Sequence, residues 1–214
     1  MNTILKNSLS WGGVVALVAT TLAVANPAQA IGFTSPFGPY GIPDTNTTGA
    51  SAGASASINI SGQGNIISFD SVTITGFTHS AYDNLRAFLT NGTTSVQLFS
   101  TRVLPDSQPF TNSSFSLNGN YTFATAGANW YTQTVNPVPT ATTYASFQPL
   151  TAFNGQSLNG NWTLNVQDRI RFDTGRFNQF TINATPVPFE FEPIGGVVLL
   201  GGAWLLRKRL MKKG

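Results

Sequence analysis

Asn159-Gly160-Asn161-Trp162-Thr163-Leu164-Asn165-Val166-Gln167-Asp168 is the stretch on which the fold turns. Trp162, Leu164 and Val166 take every second place, with Thr163, Asn165 and Gln167 between them. A period of two puts one set of side chains on a buried face and the other in solvent, which is the mark of a strand. The same alternation recurs upstream, in Ile58 and Ile60, in Val72, Ile74 and Gly76, in Leu85, Ala87 and Leu89, and in Val96 and Leu98. Asn91-Gly92, between Leu85–Thr90 and Thr93–Ser100, predicts a hairpin, because both residues tolerate the positive φ of a type I′ turn. Asn118-Gly119 predicts a second one, between Ser114–Leu117 and Asn120–Ala124. A looser stretch with three prolines, Ala126–Pro149, follows. Trp162–Val166 and Arg176–Ala184 are then expected to pair and close the fold, joined by the polar loop Gln167–Gly175. No segment of 57–184 carries a 3.6-residue stripe, so the expected fold is all-β, a jelly-roll-like β-sandwich.

Both ends of the chain differ in kind from this middle. Lys6 precedes an apolar segment from Trp11 to Val24, and Ala28-Gln29-Ala30 supplies the small-x-small pattern of a signal-peptidase site, so residues 1–30 read as a signal peptide cut after Ala30. At the other end stand an acidic Pro box, Pro188-Phe189-Glu190-Phe191-Glu192-Pro193, then 13 uncharged residues from Ile194 to Leu206, then five cations at Arg207, Lys208, Arg209, Lys212 and Lys213. The apolar stretch has no polar face and predicts a single hydrophobic helix, roughly 20 Å long against a hydrocarbon core of about 30 Å. The cations would stay on the cytoplasmic side and leave the chain before Pro193 outside. This three-part order resembles the PEP-CTERM sorting signal, in the cyanobacterial subclass with a Phe-Glu-Phe core. The resemblance covers Val187–Gly214 and implies processing by an exosortase-type membrane protease near the Pro/Glu box. Glu192 departs from the Ser often found there, which leaves the cut site open.

The ends also supply the basic charge. The whole chain is formally +3, but residues 31–185 hold five Arg against six Asp, a net −1, with no Lys and no Glu. Such a domain has no cationic row to neutralise phosphates, and a nucleic-acid partner is excluded. Zero Cys rules out disulfides, a thiol nucleophile and Cys-based metal sites. The organisation expected is therefore a signal peptide at 1–30, an extended or mobile Pro/Gly/Ser-rich leader at 31–56, the sandwich at 57–185, and the sorting signal at 186–214.

Within the sandwich, two blocks carry a second resemblance. Phe69–His79, Asp83–Thr93 and Val96–Leu98 look like the first half of the P domain that follows the catalytic domain of subtilisin-like proprotein convertases. Pro149–Gln156, Asn159–Asp168 and Asp173–Phe177 look like its second half. Gly-x-Trp-x-Leu-x-Val-x-Asp, Gly160 to Asp168, is the most specific phrase, while Phe110–Thr143 is hard to align. The resemblance implies a P-domain-like β-sandwich that supports rather than performs chemistry, and no protease domain stands beside it in these 214 residues.

Trp162 is expected in the core, and Gly155, Gly160 and Gly175 at turns needing positive φ. His79 is the sole histidine. With Ser80 and one of Asp70, Asp83 and Asp168 it could be drafted into a Ser-His-Asp set, but nothing around it resembles a nucleophile elbow, and the expectation is a histidine bonded to a turn near Asp83. Asp83, Asp168 and Asp173 fall at strand ends and are the candidate ligands of a structural Ca²⁺, which takes 6–8 oxygens, with Asn84 and Asn165 as further donors. Arg169 and Arg171 offer the competing account, ordinary ion pairs with Asp168 and Asp173. No resident cofactor is otherwise expected. The Asn-x-Ser/Thr matches, from Asn46 to Asn183, follow from composition and are given no role.

The function expected is that of a non-enzymatic, exported protein of the cell envelope or extracellular matrix, membrane-inserted at least transiently. Its partners would be signal peptidase, an exosortase-type protease, the membrane and an exopolysaccharide. A carbohydrate- or Ca²⁺-dependent binding module, with Trp130, Tyr131 or Tyr144 as stacking platforms, is the alternative. A hydrolase stands third, because one His and no domain Glu leave few acid-base groups.

Overall fold

The computed structural model describes residues 27–44, 52–100 and 115–188. Eleven strands follow in chain order among them: β1 (Ile31–Thr34), β2 (Tyr40–Ile42), β3 (Ala54–Ile60), β4 (Ile66–His79), β5 (Leu85–Asn91), β6 (Thr94–Phe99), β7 (Leu117–Ala124), β8 (Thr143–Ala145), β9 (Gly160–Asp168), β10 (Gly175–Phe177) and β11 (Gln179–Pro186). The smaller sheet runs β3-β9-β5-β6, all antiparallel. In the larger sheet β4 is central. It pairs with β7 on one side and with β11 and β10 on the other; β1 and β2 extend β11 and β10, and β8 joins β7 in parallel. No helix among the described residues is long and apolar enough to cross a membrane. The sorting box from Phe189 to Pro193, the apolar stretch, the basic tail and the signal-peptide segment up to residue 26 lie outside the described residues.

Trp162, Leu164 and Val166 bury completely between the sheets, as their spacing predicts, and the Trp162 indole N–H donates to the Leu158 carbonyl at 2.9 Å. The partner of this strand differs from the expectation. β9 lies in the smaller sheet and β10–β11 in the larger one, so the loop between them crosses the end of the sandwich instead of closing a hairpin. The reason is the second apolar face: Phe177, Phe180, Ile182 and Ala184 also need burial, and facing β9 across the core covers both sets at once.

The leader is likewise partly structural. β1 zips onto β11 from Ile31↔Ala184 to Thr34↔Thr181, β2 pairs with β10, and Ala54 already begins β3. Hydrogen bonding along an open strand edge requires no apolar periodicity, which is why Ile31–Ile42 gave no signal.

Turn chemistry corrects two further expectations. Asn91 pairs with Thr94, so the hairpin loop is Gly92-Thr93, and of these two only Gly92 has positive φ (58°), as in a type II′ turn. Asn118-Gly119 is no turn at all. It lies inside β7, where Asn120 alone faces Thr75 and Gly76 of β4 across a β-bulge, and the Asn120 side-chain oxygen accepts the Gly76 N–H at 2.9 Å. Gly76 has φ 62°, and a Cβ there would meet the Asn178 amide at 2.3 Å, so this bulge needs glycine.

The bulge has a consequence for the site. Val72 and Ile74 set a phase that would send Gly76 and Thr78 inward and His79 out. One extra residue resets it, and Phe77 and His79 turn into the core instead.

Trp130, one of the three stacking platforms of the alternative reading, is 1% exposed. Its ring lies 4.9–5.8 Å from those of Tyr82, Phe99, Tyr121, Phe123 and Tyr144. Tyr144 is equally buried, its hydroxyl donating to the Pro139 carbonyl at 2.6 Å, and Tyr131 is half-buried with its hydroxyl accepting from the Ser100 N–H. The irregular segment 126–149 thus serves as a cap that drops Trp130 and Tyr144 into the core, with Tyr131 packed against it and Phe147 left exposed.

Burial pushes the phenol pKa values of Tyr121, Tyr131 and Tyr144 up. An unfolded chain releases these protons from about pH 10 while the folded one keeps them, so their contribution is complete below that pH and is lost as pH rises above it. Urea midpoints measured from pH 7 to 11 are expected to hold steady and then fall beyond about pH 10; a midpoint rising there would contradict the burial of these hydroxyls.

Candidate functional site

The sandwich has two ends. At the base, β1 begins and β11 finishes; at the tip, β4 ends on His79 and β9 on Asp168. Every acidic residue singled out from the sequence as a metal ligand lies at the tip, in the segments Ser80–Asn84 and Asp168–Thr174.

His79 and Asp168 meet there across the two sheets. Nε2 of His79 is 3.3 Å from Oδ2 of Asp168, and both side chains have zero exposure. Neither atom makes a hydrogen bond, so the contact is a close approach of two buried polar atoms, each otherwise unpartnered. Nδ1 stays with the turn, 2.8 Å from the Ala81 carbonyl and 3.1 Å from the Ala81 N–H. The second carboxylate oxygen of Asp168 accepts the Ile170 N–H at 3.1 Å. Gly175 closes the lid. It sits opposite His79 in β10, and a Cβ on it would come within 2.3 Å of the imidazole Cδ2 and 2.5 Å of the Thr78 carbonyl. Glycine is therefore needed here for close approach, whereas Gly155 (φ 80°) and Gly160 (φ 128°) have the positive φ expected of all three.

Asp173 belongs to a second set of bonds. Its carboxylate accepts from the Ser80 hydroxyl at 2.7 Å and from the Asn84 amide, and the Ser80 N–H reaches the Thr174 carbonyl. The Asn84 carbonyl in turn accepts the Arg169 N–H at 3.0 Å. Asp83 is buried (1% exposed) beside this network. Asp44 caps the crossing loop by accepting the Phe172 N–H at 3.0 and 3.2 Å, where Phe172 itself stands 84% exposed with φ 81° and the Arg171 guanidinium over its ring. Asn165, the other suggested oxygen donor, points out of the smaller sheet and donates to Ser55.

The three candidate aspartates are thus near in the fold but turned to different protein partners, and no group of three or more His, Asp or Glu among the described residues is arranged to hold a metal ion. Among the described residues Arg169 and Arg171 form no salt bridge with them either; the titratable side chain that approaches one of them is His79, at 3.3 Å from Asp168. The sequence did not pair His79 with Asp168 because they are 89 positions apart and the bulge that turns His79 inward leaves only a glycine as its trace. A Ser-His-Asp relay is not assembled, since the Ser80 hydroxyl is spent on Asp173 and the His79 ring is sealed from solvent. Chemically, the tip is a polar clamp: it staples the end of β4 to the end of β9 and fixes the crossing loop.

At the base, the residues before β1 and after β11 come together. Pro27–Ile31, Gly62–Gly64 and Pro186–Pro188 line one cleft, and Ala28 and Ala30 are exposed within it.

Comparison with curated proteins and with solved structures gives no match. A family model, the proprotein convertase P-domain, matches residues 71–184. That segment covers more than half of the chain, running from the middle of β4 through the aromatic cap to the end of β11 and including both halves of the clamp. The chain belongs to the proprotein convertase P-domain family.

Proposed function

We propose that this protein is an exported, non-catalytic display domain of the cell envelope or extracellular matrix, processed at both ends and presented through a PEP-CTERM-like C-terminal signal. The observation that carries this reading is the meeting of the two processing points. β1 and β11 are antiparallel neighbours, so the segment after which signal peptidase would cut (Ala28, Ala30) and the first residue of the sorting box (Pro188) leave from the same cleft at the base. An exosortase-type protease at the membrane would then meet the Pro/Glu box with the sandwich pointing away, its tip outermost. Membership of a family of accessory sandwiches and the sealed His79 support a role without chemistry.

Truncation after Pro188 tests the sorting half of the proposal. The truncated chain is expected to leave the envelope fraction for the medium, while the complete chain is retained in part. If the two partition alike, the C-terminal signal does not address the protein.

Of the aromatics drafted for sugar stacking, Trp130 and Tyr144 are core and Tyr131 is half-buried against it, which weakens that version of the binding-module reading. For a structural calcium held by Asp83, Asp168 and Asp173, the expected result is negative: calorimetric melting with and without EDTA gives one melting temperature, because Asp173 spends both oxygens on Ser80 and Asn84, one Asp168 oxygen accepts from Ile170, and the other lies sealed against His79 Nε2. A drop of several degrees with chelator would restore the ion.

A further inference from the structure

The outer face of the smaller sheet is chemically one-sided. Along β9 it presents Thr163, Asn165 and Gln167, and along β5 Arg86, Phe88 and Thr90, each on the partly exposed side of a strand whose other side is core. The neighbouring outward positions of β3 and β6 are Ser, Asn, Gln and Thr, and none is Asp or Glu. At the tip-side rim Arg169 follows Gln167 by two residues.

Arg86 is held in place on this face. Its Nε donates to the Gln167 side-chain oxygen across the strand pair, and its guanidinium rests 5.4 Å from the centre of the Phe88 ring. Arg169 lies close enough to raise the cost of its charge: burial first, and then the Arg169 cation, hold Arg86 below the usual arginine range. Among the described residues neither cation is paired with a carboxylate. Arg86 stands opposite Gln167 and Arg169 opposite Asn84, so register makes the two cations diagonal neighbours at one corner of a sheet of amides and hydroxyls, in a domain with no Lys and a net charge of −1. Folding alone gains nothing from this arrangement, since like charges at close range repel.

We infer that this face is a docking surface for an acidic polysaccharide, whose carboxylate or sulfate groups bridge Arg86 and Arg169 while its neutral hydroxyls hydrogen-bond to Gln167, Asn165 and Thr163. The guanidinium is the side chain suited to bidentate carboxylate recognition, and an anion between two such groups relieves their repulsion. Charge complementarity picks the class, and spacing picks the polymer. A nucleic acid would need a row of cations along its backbone, whereas this face offers two cations beside an amide-rich field that fits sugar hydroxyls. The assignment rests on the export reading and names the matrix partner of the displayed domain.

The test uses the displayed species, residues 31–188 without the basic tail, with EDTA, binding alginate, with dextran, single-stranded DNA and phosphatidylglycerol vesicles in parallel. Alginate is expected to bind and dextran not to, and Arg169→Gln and Arg86→Gln are each expected to weaken alginate binding by about tenfold or more. Arg86→Lys, which keeps the charge but loses the fork, falls between. Unchanged melting temperatures confirm that the variants fold; if Arg86→Gln does not, Arg169→Gln at the rim decides. No alginate binding, equal binding by Arg169→Gln, or equal retention on dextran, DNA or vesicles overturns the inference. Any of these with correct processing at both ends leaves the display reading standing.

Discussion

Replacing Asp168 by Ala is expected to cost about 3–5 kcal/mol of folding stability, because it removes one partner of a buried pair and strands the other. His79 Nε2 would face a cavity in a region with zero exposure, and the Ile170 N–H would lose its acceptor as well. Against a total stability of about 5–15 kcal/mol for a domain this is a large fraction. It should lower the melting temperature by roughly 10 °C or more, read by circular dichroism. The double variant His79→Leu with Asp168→Leu is expected to recover much of the loss, since replacing both buried polar partners with apolar groups is often close to neutral. A single variant that melts within about 2 °C of the parent would mean that the clamp does not join the sheets.

Trp130→Ala carries the second large effect, about 3–5 kcal/mol, from an indole that touches five other rings. Trp130→Phe is the informative companion. The indole N–H has no hydrogen-bond partner in the core, so phenylalanine forfeits volume but no bond, and the cost is expected to stay below about 1.5 kcal/mol. An exposed stacking platform would behave in the opposite way, leaving the melting temperature unchanged and removing sugar binding. Denaturant titration of both variants separates the two.

Where local pattern and long-range packing agree, the sequence is legible. β9 and β5 keep strict alternation because β9 pairs in unbroken register with β3, from Ala54↔Val166, and with β5, to Asn91↔Trp162, and their faces are read correctly residue by residue. β4 keeps it only in pieces. Its register slips against β11 at two places and against β7 at one, each slip turns the strand over, and the buried positions become Ile66, Phe69, Val72, Ile74, Phe77 and His79. No periodicity count recovers such a strand without knowing its partners. Gly76 was visible but read as an inward residue, when its positive φ marks the bulge.

The candidate site was half legible for the same reason. The acidic residues at strand ends were found, and so was the bond between His79 and the turn beside Asp83. Their true partners were not, because Asp173 reaches Ser80 and Asn84, and Asp168 reaches His79, only once β4 and β9 face each other across the core. Edge strands and the aromatic cap escaped because neither shows period. β1 and β2 are held by backbone bonds to β11 and β10, and Trp130 enters the core from a short 3₁₀ turn inside a proline-rich stretch.

The central claim is that this sandwich is cut at the two chain ends that meet at its base, and then displayed. Intact-mass analysis of the protein recovered from envelope and medium fractions tests it most directly. The account predicts a released species that begins at Ile31 and stops near Pro188. A chain found only in the membrane, beginning at Ile31 and still ending at Gly214, would contradict it.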